Sequence, residues 1–225
     1  MTGLASEAAV IAAMLDDNDA PTRVVCAGAD ATRAAVLSRQ LVGEGAGALL
    51  SFGIAGGLAP DIASGELILA ERVCGSGRED YACDARWRAA VAARLSEAMV
   101  AFRGGAILGS ARMLRSAADK ESAHRESACL AIDMESAAVA AIAAESGLPF
   151  LAVRAVADRA RDTLPSLVEN AVKPNGRPAV GRAVAALLRH PSEIPATLRL
   201  ARQTELALAR LRMLESVKGA LLGGF

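Results

Sequence analysis

The segment 130–158 reads LAIDMESAAVAAIAAESGLPFLAVRAVAD, and its parsing decides the fold. Residues 129–132 are a short apolar run of strand length that ends at Asp133. Residues 134–146 are mostly alanine with Val139 and Ile142, and the lack of a polar face predicts a buried helix. Gly147 supplies a stop and Pro149 forbids continuation. A second apolar run over 150–156 is interrupted by Arg154 and closed by Asp158. Strand, helix and strand in so short a span predict a right-handed βαβ unit with parallel strands. Ligands bind outside the carboxyl ends of such strands. Glu135 follows the first strand and Asp158 the second, so both carboxylates are expected on one rim of the sheet. A plainer reading gives Glu135 only a helix N-terminus and Asp158 only the start of a loop.

Two hexamers within this segment are more specific. DMESAA (133–138) and VRAVAD (153–158) resemble the paired signatures of the nucleoside phosphorylase and nucleosidase superfamily, which includes purine nucleoside phosphorylases and methylthioadenosine/S-adenosylhomocysteine nucleosidases. The resemblance implies an α/β fold of three layers, α/β/α, around a central mixed, mostly parallel sheet, with a C-terminal helical extension. It implies that Met134 and Glu135 hold a ribose, with Glu135 taking its hydroxyls, and that Asp158 protonates a departing purine. It further implies a homo-oligomer whose sites are completed across a dimer contact.

Upstream, residues 2–7 (TGLASE) open directly onto a helical pattern through Met14. In the hydrolases of the group a glutamate in this region activates water. Glu7 is the candidate here, against the alternative of a solvent-facing residue in a first helical turn. Residues 23–28 read as a strand into a turn, followed by a helix to Leu41 with Asp30 as N-cap. Residues 48–52 are a strand, and 53–58 (GIAGGL) a Gly-rich turn that lets backbone amides approach a ligand. Ile54, Ala55 and Gly56 of this turn are candidate substrate contacts. Purine phosphorylases of that superfamily carry an Arg before this turn and a Ser inside it, both for phosphate. This chain has Ser51 and Ile54 there, which puts that phosphate site in doubt. The next strand spans 67–72, and 73–88 is irregular, with Tyr81 and Trp87 as candidates for lining an apolar pocket or a satellite core. A helix over 87–99 and a strand over 105–110 follow, and by resemblance Met113 and Leu114 face the base. Residues 120–127 read as a polar helix.

Beyond residue 162 the likeness to the well-known nucleosidases ends. Residues 160–165 read as a loop, 173–178 as a turn, and 179–189 and 192–218 as Arg-bearing helices. Domain boundaries are therefore set at 1–162 for the nucleoside phosphorylase-like unit and 163–225 for a helical extension packed on the same domain. The extension carries 9 basic and 4 acidic residues, so a net charge of zero conceals a basic tail. Such helices suit an anionic membrane surface, or a packed or subunit-facing role with arginines in water. The segments GRP (176–178), LLRHP (187–191) and LRLAR (198–202) resemble the C-terminal region of the hopanoid-associated phosphorylases. That resemblance implies adenine release from adenosylhopane. Methylthioadenosine/S-adenosylhomocysteine or futalosine cleavage is the alternative within the enzyme class, and purine-nucleoside binding without catalysis the one outside it.

Composition sets the outer limits. A chain of 225 residues, 53% hydrophobic and 3% aromatic, is long enough for one three-layer core packed with small side chains. Balanced charge, 25 basic against 25 acidic, does not suggest polyanion binding by the whole chain. Four scattered cysteines and two histidines form no metal-ligand spacing, so no metal or cofactor is expected, with phosphate as a conceivable co-substrate. Reduced cysteines and the absence of a secretory pattern are read as a cytoplasmic protein, peripheral to the inner membrane if the basic helices meet lipid.

Overall fold

The computed structural model describes residues 1–15, 21–75, 77, 79–170, 172–173 and 175–223. Six strands form one mixed sheet: β1 (Leu49–Gly57), β2 (Leu67–Gly75), β3 (Asp80–Ala82), β4 (Arg103–Gly109), β5 (Ala131–Asp133) and β6 (Phe150–Val156). Their order is β3-β2-β4-β5-β1-β6, and β2 also pairs with β6. That extra ladder, Leu67–Leu69 against Val153–Ala155, joins the ends of the β2-to-β6 row into a ring. Leu67, Ile68, Leu69, Leu151 and Phe52, on its strands, are fully buried.

Among the described residues eight α-helices accompany the sheet: α1 (Ala5–Met14), α2 (Ala31–Gly43), α3 (Ala85–Glu97), α4 (Ala117–Ser127), α5 (Ser136–Glu145), α6 (Val180–Arg189), α7 (Ile194–Arg212) and α8 (Lys218–Leu222). Of these, α1, α3, α5 and α7 make the substantial contacts with its strands. The alanine-rich α5 lies against β1, β2, β4 and β6 and against α2, burying Val139, Ala140, Ile142 and Ala143. Small side chains allow that close approach. Asp30 caps α2 by accepting from the Arg33 N–H. From the C-terminal segment, α7 buries Ala207, Leu208 and Leu211 against β6, β1 and β2 and also touches α1. Arg210 donates to the Gly65 carbonyl at 2.9 Å, which ties α7 to the loop before β2.

Four local expectations need correction. The strands flanking α5 are not parallel neighbours: β1 lies between them, parallel to β6 and antiparallel to β5. Residues 53–57 are not a turn but the second half of β1, because pairing of 53–55 with β6 and of 56–57 with β5 holds them extended. Residues 23–28 form no regular strand, only a single parallel bridge between Thr2 and Cys26. Within the stretch read as irregular, β2 runs on to Gly75, β3 pairs with it, and Trp87 sits buried in α3 with its indole N–H donating to the Ala220 carbonyl at 3.0 Å. Ser76 and Arg78 of that stretch, and Pro174 of the expected 173–178 turn, lie outside the described residues.

The rim remains where it was expected, for a different reason. Gly56 and Gly57 at the end of β1 pair with Ile132 and Ala131, while Ala55 pairs with Val156. Gly57 N–H also donates to the Asp158 carbonyl at 2.7 Å. The outgoing ends of β5 and β6 thus straddle the end of β1.

Candidate functional site

At this junction a cavity of about 290 Å³ opens. It is lined by all three acids named from the sequence, Glu7, Glu135 and Asp158, and by Met134. The β1 residues Ile54, Ala55 and Gly56 also line it, as do Met113 and Leu114. The rest of the wall is largely apolar, and Leu164, Val168 and Leu200 come from the C-terminal segment, where sequence reasoning placed no site residue. A larger cavity of about 450 Å³ lies elsewhere, lined by Leu41, Trp87 and Leu221 among others. None of the three acids reaches it, so the chemistry belongs to the smaller one. Neither Tyr81 nor Trp87 lines the carboxylate cavity.

Glu7 is 2% exposed, not the solvent-facing first-turn residue considered above. Its Oε2 accepts from the Gly3 and Leu4 N–H groups, both at 2.8 Å, and so satisfies donors left over at the start of α1. Its Oε1 accepts from Ile54 N–H at 2.9 Å, which links α1 to β1. Burial still pushes its carboxyl above the usual range against these three bonds. Gly53 is required beside it: a Cβ there would lie 2.6 Å from the Glu7 carboxyl carbon.

Glu135 sits at the start of α5 and faces Gly3 so closely that a Cβ on Gly3 would come within 2.5 Å of its Oε1. Burial, then the neighbouring Asp133, pushes its pKa up to about 8. Its backbone is fixed from below. Asp133 Oδ1 accepts from the Glu135 and Ser136 N–H groups at 3.2 and 2.9 Å. Asp133 Oδ2 accepts from Arg154 Nε at 2.6 Å and from the Ser136 hydroxyl. Arg154 Nη2 donates to the hydroxyls of Ser51 and Ser136 at 2.7 and 2.9 Å. Arg154 is 1% exposed and does not break β6; it holds a polar network together inside the core. Ser51 is likewise fully buried in that network and does not line the cavity.

Asp158, 6% exposed, follows β6. Its Oδ2 accepts from Lys120 Nζ, and Lys120 also donates to the carbonyls of Arg159 at 3.0 Å and Asp162 at 2.8 Å. Burial raises the Asp158 pKa and the ammonium opposes it, with the balance on the raised side. The 120–127 stretch is helical and polar as read, and Lys120, 1% exposed, is the one residue of α4 that is buried. Asp162 is fixed in turn by Gln203 of α7, whose Nε2 donates to Oδ2 at 2.7 Å. Among the described residues no cluster of side chains could hold a metal ion.

A model of the phosphorylase superfamily matches residues 11–189. The chain belongs to the phosphorylase superfamily. As a member, it is a nucleoside-cleaving enzyme. The matched span contains Glu135 and Asp158, begins after Glu7, and stops before α7. No curated protein sequence matches this superfamily member. Its fold is that of the Helicobacter pylori 5′-methylthioadenosine/S-adenosylhomocysteine nucleosidase, with a TM-score of 0.72, 14% identity, and 98% of this chain and 95% of the other covered. The futalosine hydrolase of the same organism gives 0.71 at 15% identity over 96% and 94%. The Neisseria meningitidis methylthioadenosine/S-adenosylhomocysteine nucleosidase gives 0.70 at 16% identity over 96% of each chain.

Proposed function

We propose that this enzyme hydrolyses the bond between the ribose C1′ and the base nitrogen of a purine nucleoside. The observation that carries the reading is the convergence of three buried carboxyl groups, mounted on α1, α5 and the end of β6, on one largely apolar cavity. A cavity that desolvates carboxyl groups tunes them for proton transfer.

Glu7, ionised and held by three N–H donors, takes a proton from the attacking water as the water oxygen bonds to C1′. The C1′–N bond breaks with its electron pair passing to the base, and Asp158 delivers its proton to the base ring. Glu135 accepts from the ribose hydroxyls and, in the ionised form that prevails above its raised pKa of about 8, opposes the positive charge that builds on an oxocarbenium-like transition state. Glu7 ends protonated and Asp158 ionised, and exchange with solvent resets both. Water is preferred to phosphate because Ser51 is committed to Arg154 and the only basic side chain lining the cavity, among the described residues, is the exposed Arg112.

The apolar wall of Met113, Leu114, Leu164, Val168 and Leu200 supports an adenine nucleoside with an apolar 5′ substituent. Adenosylhopane is the substrate put forward, on the C-terminal resemblance. The second reading, methylthioadenosine, S-adenosylhomocysteine or futalosine, is favoured by the fold neighbours. The exposed Val184 and Leu188 of α6 and Ile194 and Leu198 of α7, beside Arg189 and Arg199, support a peripheral contact with anionic lipid. Among the described residues no helix is long and apolar enough to cross a membrane.

The test is chromatographic detection of free base after incubating the purified protein with each of these nucleosides, with and without phosphate. Adenine from adenosylhopane at a rate indifferent to phosphate is expected. Phosphate-dependent release overturns the role given to water. Faster turnover of methylthioadenosine moves the substrate to the second reading, and a nucleoside bound but recovered intact overturns catalysis.

A further inference from the structure

Lys120 belongs to no motif that named the site. It lies on α4, 38 residues from its partner, yet all three of its N–H donors are spent within the loop that carries the acid: on Asp158 Oδ2, the Arg159 carbonyl and the Asp162 carbonyl. Burying an ammonium costs several kcal/mol unless it is fully partnered, and an exposed Lys would do for a helix surface. A surface lysine reaching in by chance would not satisfy every donor.

We propose that Lys120 is a positioning residue that assigns the two oxygens of Asp158, fixing Oδ2 so that the transferable proton is carried by Oδ1. The proposal rests on Asp158 being the acid of the reaction described above. An oxygen that accepts from an ammonium cannot also present a proton toward it, so the neutral carboxyl keeps its hydrogen on the other oxygen. When Oδ1 gives that proton to the leaving base, the carboxylate left behind is already paired with a cation, and nothing must reorganise. The two carbonyl contacts hold the 158–162 loop at the same time. Gln203 of α7 reinforces it through Asp162.

The charged groups bearing on Asp158 are Lys120 and Asp162; with the ammonium gone, burial and Asp162 raise its pKa against a backbone hydrogen bond alone. Lys120→Met in the full-length enzyme is therefore expected to lower kcat about tenfold or more with KM within about threefold. It is also expected to move the alkaline limb of the kcat/KM profile upward by about one pH unit. Lys120→Arg retains a cation and should leave that limb in place. In an Asp158→Asn background, Lys120→Met should cost little further turnover, because the two residues act as one unit. A fall in rate equal at every pH, or losses that simply add in the double variant, would make Lys120 structural only and overturn the proposal. If Lys120→Met does not fold, Lys120→Arg decides: an alkaline limb displaced despite the retained charge sinks the idea, an undisplaced one supports it. Full turnover by Asp158→Asn alone would instead remove the reading beneath the proposal, a distinct failure.

Discussion

Glu135 is a carboxyl group that folding favours in its neutral form. Its folded-state pKa of about 8 exceeds the ordinary 4.5, so the folded state binds more protons than the unfolded chain between those values. Its contribution to stability is intact below pH 4.5, declines as pH rises toward 8, and is flat above. Glu135→Gln removes that decline. The variant should melt within a degree or two of the parent at pH 5 and several degrees above it at pH 8, while losing nearly all turnover. Equal melting temperatures at pH 8 would contradict the burial argument. Asp158→Asn keeps the shape and removes the proton donor, so kcat should fall by about 10² to 10⁴ with KM little changed. Steady-state kinetics on free-base release checks this. At this scale the sequence was informative wherever a residue type was out of place. Acids just past apolar runs, within the two hexamers, marked Glu135 and Asp158. Lys120 offered no such sign, since a lysine in a polar helix is ordinary and its partner is known only once the chain is folded.

At the scale of elements, β1 is the part on which the site is mounted. Glycine runs commonly mark turns, yet residues 53–57 stay extended, because the ladders to β6 and β5 outweigh local preference and the missing side chains make room for carboxyl groups. Gly53→Ala should therefore displace Glu7 and cut turnover by about tenfold or more. Gly47→Ala, where an added Cβ meets nothing within 4 Å, should leave turnover unchanged. Comparable kinetics for both variants would show that the close approach is unimportant. Arg154→Met leaves Asp133 buried without its cation and should destabilise the fold by about 3–5 kcal/mol, measured by denaturant unfolding. The strand–helix–strand pattern of 130–158 was readable because periodicity and stop signals are local. That β1 intervenes between β5 and β6 was not, because strand order is decided by pairing partners some 75 to 100 residues away in the chain.

For the whole molecule, the C-terminal segment has two faces. Inward, α7 buries Ala207, Leu208 and Leu211 on the sheet and lends Leu200 and Thr204 to the cavity. Outward, Leu188 is 80% and Leu198 57% exposed beside arginines. If that face meets lipid, the double variant Leu188→Glu/Leu198→Glu should lose co-sedimentation with phosphatidylglycerol vesicles while still cleaving a water-soluble nucleoside. Undiminished sedimentation would remove the membrane role. The charge asymmetry announced the tail as distinct, but its share in the cavity wall depends on how α7 folds back, which composition does not encode.

The ring made by the β2–β6 ladder has a further consequence. Two of the three acids are carried at strand ends that this ring draws together, and the third is tethered by its own hydrogen bond to β1. Much of the apolar wall comes from segments hung outside the ring: the loop after β4, Leu164, Val168 and Val172, and α7. The cutting apparatus and the selection of what is cut are thus built on separate supports, and a lineage could exchange its clientele by rewriting the outer segments while leaving the blade untouched.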